Sequence, residues 1–537
     1  MDTDVLIAGA GPTGLMLACQ LARRGIRVLI VDRHSGPAQQ SRAMAVQART
    51  LEIYSKLGIA GVATQLGKEG TGANIWAEGR WMARIPLGEI GQGLSPFPYV
   101  LMLGQDDNEQ IMGERLRDWN IEVQWNTELI AFEQSAERVI ATLRQTDGAK
   151  RIVKASYLAG CDGAHSAVRQ LSGIGFPGAP YEQVFFVADT EVVGPMRPGE
   201  LNVYLWRDGF HLLFPMRGQD HWRIVGILPP ALRQKENLTF EDVVPAIRQE
   251  AGTALTFKGC SWFSKYRSYH RCAERFRDRR AFLLGDAAHI HSPAGGQGMN
   301  TGLQDAYNLA WKLALVVTGK ADAALLNTYE HERLPVAQLL LRTTDRAFTL
   351  LVSDGWFAGI FRTRLLARIA AFAMTFKRVQ TLAFRTISQT GIRYSASRLS
   401  KTLPDVRSAA PRAGERFPWL RLKLRKDRPI EDVFQALDDT CFNLLVIGQP
   451  APAENWLPGD LVQVHEVAAS PLNAQELARV GISTPAFYLL RPDGHIGLAG
   501  ARLERQSVTR YLADSVALQL KSAPFEPQRP CNASLGN

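Results

Sequence analysis

The chain holds 537 residues, 46% of them hydrophobic and 21% charged, with a formal net charge of +10, the balance of a soluble globular protein long enough for about two to four domains. Its six cysteines, Cys19, Cys161, Cys260, Cys272, Cys441 and Cys531, show no Cys-x-x-Cys or His-paired spacing, which argues against a zinc site or disulfide framework and suits a reducing cytoplasm; the dispersed Lys and Arg argue against nucleic acid. No apolar run approaches the roughly 18 residues of a membrane span, and Met1–Asp2 lead into an apolar stretch without a basic region or cleavage site, so neither span nor signal peptide is expected.

The first element is "LIAGAGPTGLMLACQLARRGIRVLIVD", Leu6 to Asp32. A short strand ends at Ala8, and a helix starts at Pro12, whose missing N–H costs nothing in a first turn. Leu15, Ala18, Leu21 and Ala22 follow at helical spacing until Gly25, and Ile26 to Val31 forms a second buried strand. In this βαβ unit Gly9 and Gly11 permit a tight turn and close approach of a ligand, while Gly14 lets helix and strand pack. The helix N-terminus around Pro12 and Thr13 suits a pyrophosphate, and Asp32, beside Arg33, is placed for a ribose hydroxyl. A dinucleotide is expected here.

Next comes "YLAGCDGAHSAVR", Tyr157 to Arg169, where a buried strand delivers Asp162-Gly163 to a turn and a helix starts near Ser166. Gly173-Ile174-Gly175-Phe176-Pro177-Gly178 repeats the glycine spacing of the first element. A helix precedes it and a strand follows, so no βα turn exists there to hold a phosphate, and it is rejected as a second nucleotide site. Between Gly178 and His270 the text alternates as strands. Tyr204 and Trp206 share one face, and His211 and Phe214 lie beyond an Asp208-Gly209 turn.

A third motif, "RAFLLGDAAHIHSPAGGQGMNTGLQDAYNLAWKL" from Arg280, reads as a strand ending at Gly285-Asp286, a Gly/Pro loop, and a helix from about Gly298. His289 and His291 lack a third ligand for zinc; His289 is expected to bond backbone near Asp286, and His291 to approach a substrate. Arg333 to Arg393 reads as mostly helical, its Leu350–Val379 part as an amphipathic helix packed on a core, with a membrane-surface helix as the alternative. A Pro- and Arg-rich linker covers Pro404 to Pro418; Phe442–Ile447 and two strands joined at Pro492-Asp493-Gly494 follow.

Taken together, the three motifs in this order resemble those of the para-hydroxybenzoate-hydroxylase-like, single-component FAD monooxygenases, over roughly Met1 to Arg398. The longer chain is nearer to phenol hydroxylase, 3-(3-hydroxyphenyl)propionate hydroxylase and the aromatic-polyketide hydroxylases. The resemblance implies an α/β fold: a Rossmann-like FAD-binding domain (residues 1–178 and 271–400), an inserted β-sheet substrate domain (179–270), a linker (401–422) and a C-terminal thioredoxin-like domain without redox cysteines (423–537). It implies FAD with NADPH or NADH, Asp286 on the ribityl chain, and Gly296, Gly298, Met299 and Asn300 at the pyrimidine edge. It also places Arg42 and Gln105 near FAD, and Asp162 where FAD and the nicotinamide cofactor meet.

The implied reaction is hydroxylation of a phenolic or polycyclic aromatic by O2 through a C4a-hydroperoxyflavin. His211 is the candidate base, Pro293 shapes the loop at the reaction centre, and Tyr204, His211, Phe214 and His291 are the substrate-side candidates. Oxidation of an antibiotic or non-aromatic ring is the alternative, and a flavin-holding interaction protein a reading from another class. A halogenase is excluded because none of the 11 tryptophans stands in a Trp-x-Trp motif. Beyond the small aromatic substrate and O2, a monomer or homodimer in the cytoplasm is expected.

Overall fold

The structure is a computed structural model describing residues 1–38, 43–206, 209–252, 254–291, 296–352, 367–424, 429–452 and 457–519. A seven-stranded sheet organises the N-terminal half. At its centre Thr3–Ala8 pairs in parallel with Val28–Val31 on one side and with Lys150–Gly160 on the other, and Ala281–Leu283 lies beyond that strand, again parallel. These strands are apolar because both their faces are buried in one core. Since neighbouring strands run the same way, the three motifs that follow their C-terminal ends collect along one edge. Helices Pro12–Ala22 and Gly298–Val317 pack against each other there, burying Leu17, Leu21, Leu303 and Leu309.

The strand-like middle region folds into an eight-stranded sheet. Gly178–Val193 pairs with Thr256–Cys272 and His221–Ile227, which continues through Gly209–Pro215 to Leu201–Trp206. Helix Phe240–Ala251, opened by a Thr239/Asp242 capping box, covers one face and buries Val243 and Ile247 against Phe186 and Ile224. The expected boundary at 179–270 needs correction. Ala73–Ala77 joins this sheet parallel to Leu201–Trp206, and Arg80–Ile85 pairs with it in turn. They satisfy the backbone edge that the meander leaves open.

After helix Asn327–Val352 come two short helices, Ala367–Ala373 and Lys377–Ile387. A five-stranded sheet then forms in the order Lys401–Thr402, Ile496–Gly500, Ala486–Leu490, Phe442–Ile447, Val462–Val467. The last two strands are parallel, and Ala486–Leu490 is antiparallel to both of its neighbours. The expected linker at 401–422 is thus partly structured: Lys401–Thr402 supplies an edge strand, and Arg421–Leu422 pairs with Glu431–Asp432. One face of this sheet, with Leu444, Phe487 and Leu498, shares a core with Trp311, Leu315 and Leu325 from the N-terminal half.

Candidate active site

At the strand edge, the first glycines act through close approach. Gly9 has φ +101°, and a Cβ there would land inside the carbonyl of Cys161 on the neighbouring strand; a Cβ on Gly14 would land inside the carbonyl of Gly9. Nothing lies within 4 Å of a Cβ on Gly11, which faces open space. Helix Pro12–Ala22 has no side-chain cap, so its first amides remain free for a ligand. Asp32 accepts the Ala10 amide (2.7 Å) through one oxygen and the His34 amide (2.8 Å) through the other, which ties the glycine turn to the second strand.

A cavity of about 1190 Å³ opens over this turn, lined by Gly9, Gly11, Asp32, Arg33, Gln105, Asp162 and Asp286 among others. That exceeds the roughly 300–1,000 Å³ of an ordinary small-molecule pocket. The structure therefore brings residues of all three motifs to one cavity, although the third contributes only Asp286: Gly285, Gly296, Gly298, Met299 and Asn300 do not line it, nor do Pro12, Thr13 and Gly14. Asp162 Oδ2 accepts the Val168 amide (3.2 Å), whereas its buried Oδ1 has no hydrogen-bond partner among the described residues. Burial pushes the Asp162 carboxyl up, against hydrogen bonds from Ser166 and nearby amides. A buried acceptor left open at a cavity wall suits the hydroxyl or amide of a ligand.

Three segments meet where the third motif enters. Gly285, φ +58°, sits against Thr13 so closely that a Cβ would be 2.6 Å from its Oγ1, and a Cβ on Gly302 would strike the same hydroxyl. Asn300, fully buried, donates to Ala45 O (2.8 Å) and Gly296 O (2.9 Å) and accepts from the Gln47 amide (2.9 Å) and Thr50 (2.7 Å). Its side chain is spent clamping the start of helix Gly298–Val317. The free backbone amides of that start, including Met299, are what it can offer a ligand. Met299 itself packs on the core, and Gly296, φ +60°, lies against Ala45.

His289 departs from expectation: it bonds the buried Asp305 carboxylate (2.7 Å), not backbone near Asp286. Burial alone would raise the Asp305 carboxyl, but Arg333 (2.6 Å) and His289 hold it below the usual range. His291 stacks near-parallel on His289 (9°) and touches Gly298. Arg42 and Pro293 lie outside the described residues.

Replacing Asp286 by Ala removes a carboxylate from the cavity wall. We expect cofactor retention to fall roughly ten- to hundredfold, the loss of one charge-assisted hydrogen bond, measured by equilibrium dialysis. Unchanged affinity would remove Asp286 from the site.

A second cavity, about 690 Å³, lies under the uncovered face of the eight-stranded sheet. It shares Asp106 and Asp107, at the start of helix Gln105–Arg117, with the first. Met44, Leu66, Met102, Met216 and Trp262 give it apolar walls, and Lys68 and Arg217 contribute cations. Burial, with Asp106 alongside, pushes the Asp107 carboxyl up. Asp189 holds Arg223 by two bonds (2.5 and 2.6 Å), and the guanidinium sits 5.2 Å from the Trp262 ring. Sequence reading passed over this pair. Its signal was a lone acid in "VFFVADTEVV" and a lone cation in "HWRIVGIL", each inside an apolar strand.

Of the substrate-side candidates, Phe214 packs with Ala45 and Met102 on this same face, two residues from Met216. His211 and Tyr204 require correction. They are cross-strand neighbours on the opposite face, under helix Phe240–Ala251. His211 is fully buried, and its Nε2 donates to Glu250 (2.7 Å); burial pushes its pKa down although Glu250 pulls it up. Tyr204 stacks on Trp76 at 5.5 Å. Neither lines the two cavities, because alternation along the strand sends residues 211 and 214 to opposite sides.

Comparison with known proteins agrees with this geometry. The profile of a family described as FAD binding domain matches residues 2–344. The chain is 32% identical to 6-methylpretetramide 4-monooxygenase of Streptomyces rimosus over 97% of its length and 95% of that protein. It is 31% identical to a rifampicin monooxygenase of Streptomyces venezuelae, over 93% of its length and 95% of that protein. Among solved structures, OxyS anhydrotetracycline hydroxylase from Streptomyces rimosus superposes with a TM-score of 0.75 at 29% identity, covering 96% of this chain and 99% of that one.

Proposed function

Because the chain belongs to the FAD binding domain family, alongside flavin-dependent monooxygenases that it matches over nearly its whole length, we propose that it hydroxylates a polycyclic phenol held in the smaller cavity. It is an enzyme, an FAD-dependent monooxygenase consuming NADH or NADPH, and the reading as a flavin-holding interaction protein is set aside. The residues present fit FAD: an open Gly11, Asp162 with its unsatisfied oxygen and Asp286 line one large cavity, and the uncapped helix Pro12–Ala22 begins directly after Gly11. Bound FAD, reduced by NAD(P)H, supplies the electrons with which one atom of O2 enters the substrate and the other leaves as water.

This chain's own residues bind, orient and exclude water. The uncapped amides opening helix Gly298–Val317 would offer the positive end of its dipole to negative charge on a bound cofactor. Met44, Met102 and Trp262 keep water from the reacting ring. Lys68 and Arg217 favour the anionic form of a phenol, the better nucleophile, so His211 is not required as a base.

The single observation that carries the substrate class is the cavity of about 690 Å³, which a one-ring phenol would leave mostly wet. The polycyclic substrate named for the first relative points the same way. Likeness to a rifampicin monooxygenase supports a second reading, oxidation of a bulky antibiotic. One assay tests both: NAD(P)H oxidation and product mass with simple phenols, polycyclic phenols and rifampicin. Stimulation and oxygen insertion with simple phenols alone would overturn the substrate class.

We also assign the C-terminal sheet to a thioredoxin-like unit, supported by its order of one antiparallel hairpin against a parallel pair. The unit lacks a Cys-x-x-Cys pair, so it has no dithiol chemistry. We place its beginning at Lys401 and count residues 73–85 with the substrate sheet.

A further inference from the structure

Sequence reading packs the segment around Leu350–Val379 on a core, with a membrane surface as the alternative; in its described part Met374 packs on a core while larger apolar side chains face outward. In Ala367–Ala373 and Lys377–Ile387, joined by a tight turn, Ile369 (51%), Phe372 (68%), Phe376 (53%) and Leu382 (68%) stand exposed. The Phe372 and Phe376 rings touch edge-to-face at 5.5 Å, forming one apolar knob. Soluble surfaces scatter single apolar residues but rarely gather them.

Within these two helices the charge has one sign; the nearby acid Glu89, on helix Leu87–Ile90 packed against the second of them, is paired with Arg84 (3.5 Å). Arg368, Lys377, Arg378 and Arg385 belong to the same two helices, and no Asp or Glu occurs between Asp354 and Asp405. A second copy of the chain is a poor occupant, since a two-fold contact centred here would set these cations against their own copies. Aromatic and aliphatic side chains bordered by Lys and Arg, on short helices lying at the surface, are the pattern of an interfacial element. The apolar groups enter the acyl boundary while the cations meet anionic headgroups. No helix among the described residues is long and apolar enough to cross a membrane, so the mode would be peripheral.

We propose that Ala367–Ala373 and Lys377–Ile387 dock the enzyme on an anionic lipid bilayer. The inward side of the second helix gives the surface a purpose: Phe384 is buried with Ala45, Met102 and Phe214 beneath the substrate sheet. Docking therefore sets the bilayer against the cover of the substrate region, where an apolar polycyclic compound dissolved in lipid arrives. The docking itself does not depend on the substrate reading.

Flotation of the full-length FAD-loaded enzyme with vesicles tests it. Vesicles containing phosphatidylglycerol are expected to bind the enzyme, phosphatidylcholine alone to bind at least tenfold less, and high salt to weaken binding. A Lys377→Glu/Arg378→Glu variant, and separately Phe372→Ser/Leu382→Ser, should each lose roughly tenfold in partitioning while keeping FAD and NAD(P)H oxidation in solution. Should either fail to fold, Lys377→Gln/Arg378→Gln and Phe372→Ala read the same quantities. Equal partitioning to both vesicle types overturns the proposal. So does binding indifferent to the Phe372 substitutions, or poly-L-glutamate being bound where vesicles are not, which would assign the surface to an acidic polypeptide.

Discussion

A Glu332→Ala variant is expected to lose about 3–5 kcal/mol of stability, the cost of breaking a buried ion pair from one side. Glu332, on helix Asn327–Val352, accepts two bonds from Arg491 (2.6 and 2.9 Å), one from Lys312 (2.8 Å), one from Asn308 (2.7 Å) and one from Ser397 (2.6 Å). The Glu332, Arg491 and Lys312 side chains have no exposed surface. Burial pushes Lys312 down to about 8 even with this partner in place. Without Glu332, Lys312 and Arg491 share only Asp493, which Arg491 already binds and to which Trp311 donates (3.2 Å).

Because Arg491 belongs to the C-terminal sheet unit and Glu332 to the stretch matched as FAD binding domain, the variant should also open the chain to protease near residues 404–418. Thermal unfolding and limited proteolysis indistinguishable from wild type would refute the account. The pH dependence follows from the same site. Burial raises the Glu332 carboxyl, but Arg491 and Lys312 outweigh it and hold the folded-state pKa well below the ordinary 4.5. Its stabilisation is therefore complete above about pH 4.5 and lost only as pH falls toward the depressed value. Wild type should accordingly lose little from this site at pH 5.

Gly14→Ala should abolish FAD retention. The added methyl would occupy the Gly9 carbonyl, and Gly9 cannot retreat, since it already abuts Cys161 across the sheet. Helix Pro12–Ala22 must then tilt off its strand, taking the free amides at its start out of register with a pyrophosphate. Backbone against backbone leaves no flexible side chain to give way, so the cost belongs at or above the upper end of the about 1–3 kcal/mol of ordinary overpacking. The readout is flavin absorbance per protein after gel filtration. A yellow Gly14→Ala enzyme with wild-type stoichiometry would sink the packing argument.

What could be read from sequence was local. Gly9, Gly14 and Asp32 lie within one βαβ unit, so spacing alone singled them out, and the glycines at 173–178 are followed by a strand, Gly178–Val193, as their text suggests. Alternation put Tyr204 and Trp206 on one face but could not say which face helix Phe240–Ala251 would cover. His211 was therefore assigned to the cavity when its partner Glu250, 39 residues on, holds it on the other side. Distance hid the rest. Glu332 and Arg491 meet across 159 residues, and Ala73–Ala77 finds its partner strand beyond position 200. Asn300, expected beside the cofactor, lies in the first turn of helix Gly298–Val317, where four hydrogen bonds tie its side chain to protein rather than leaving it for a cofactor.

Asp106 and Asp107 stand in the walls of both cavities, at the first turn of Gln105–Arg117. Two ligands resting on one turn are thermodynamically linked: a compound that shifts this turn on entering the smaller cavity changes FAD affinity by some factor, and FAD must change that compound's affinity by the same factor. Any flavin loss in the absence of substrate and any weak substrate binding by the apoprotein would then be two faces of one coupling. Titrating either ligand in the presence and absence of the other measures that factor, and a factor of one would mean that this turn does not couple the two chambers.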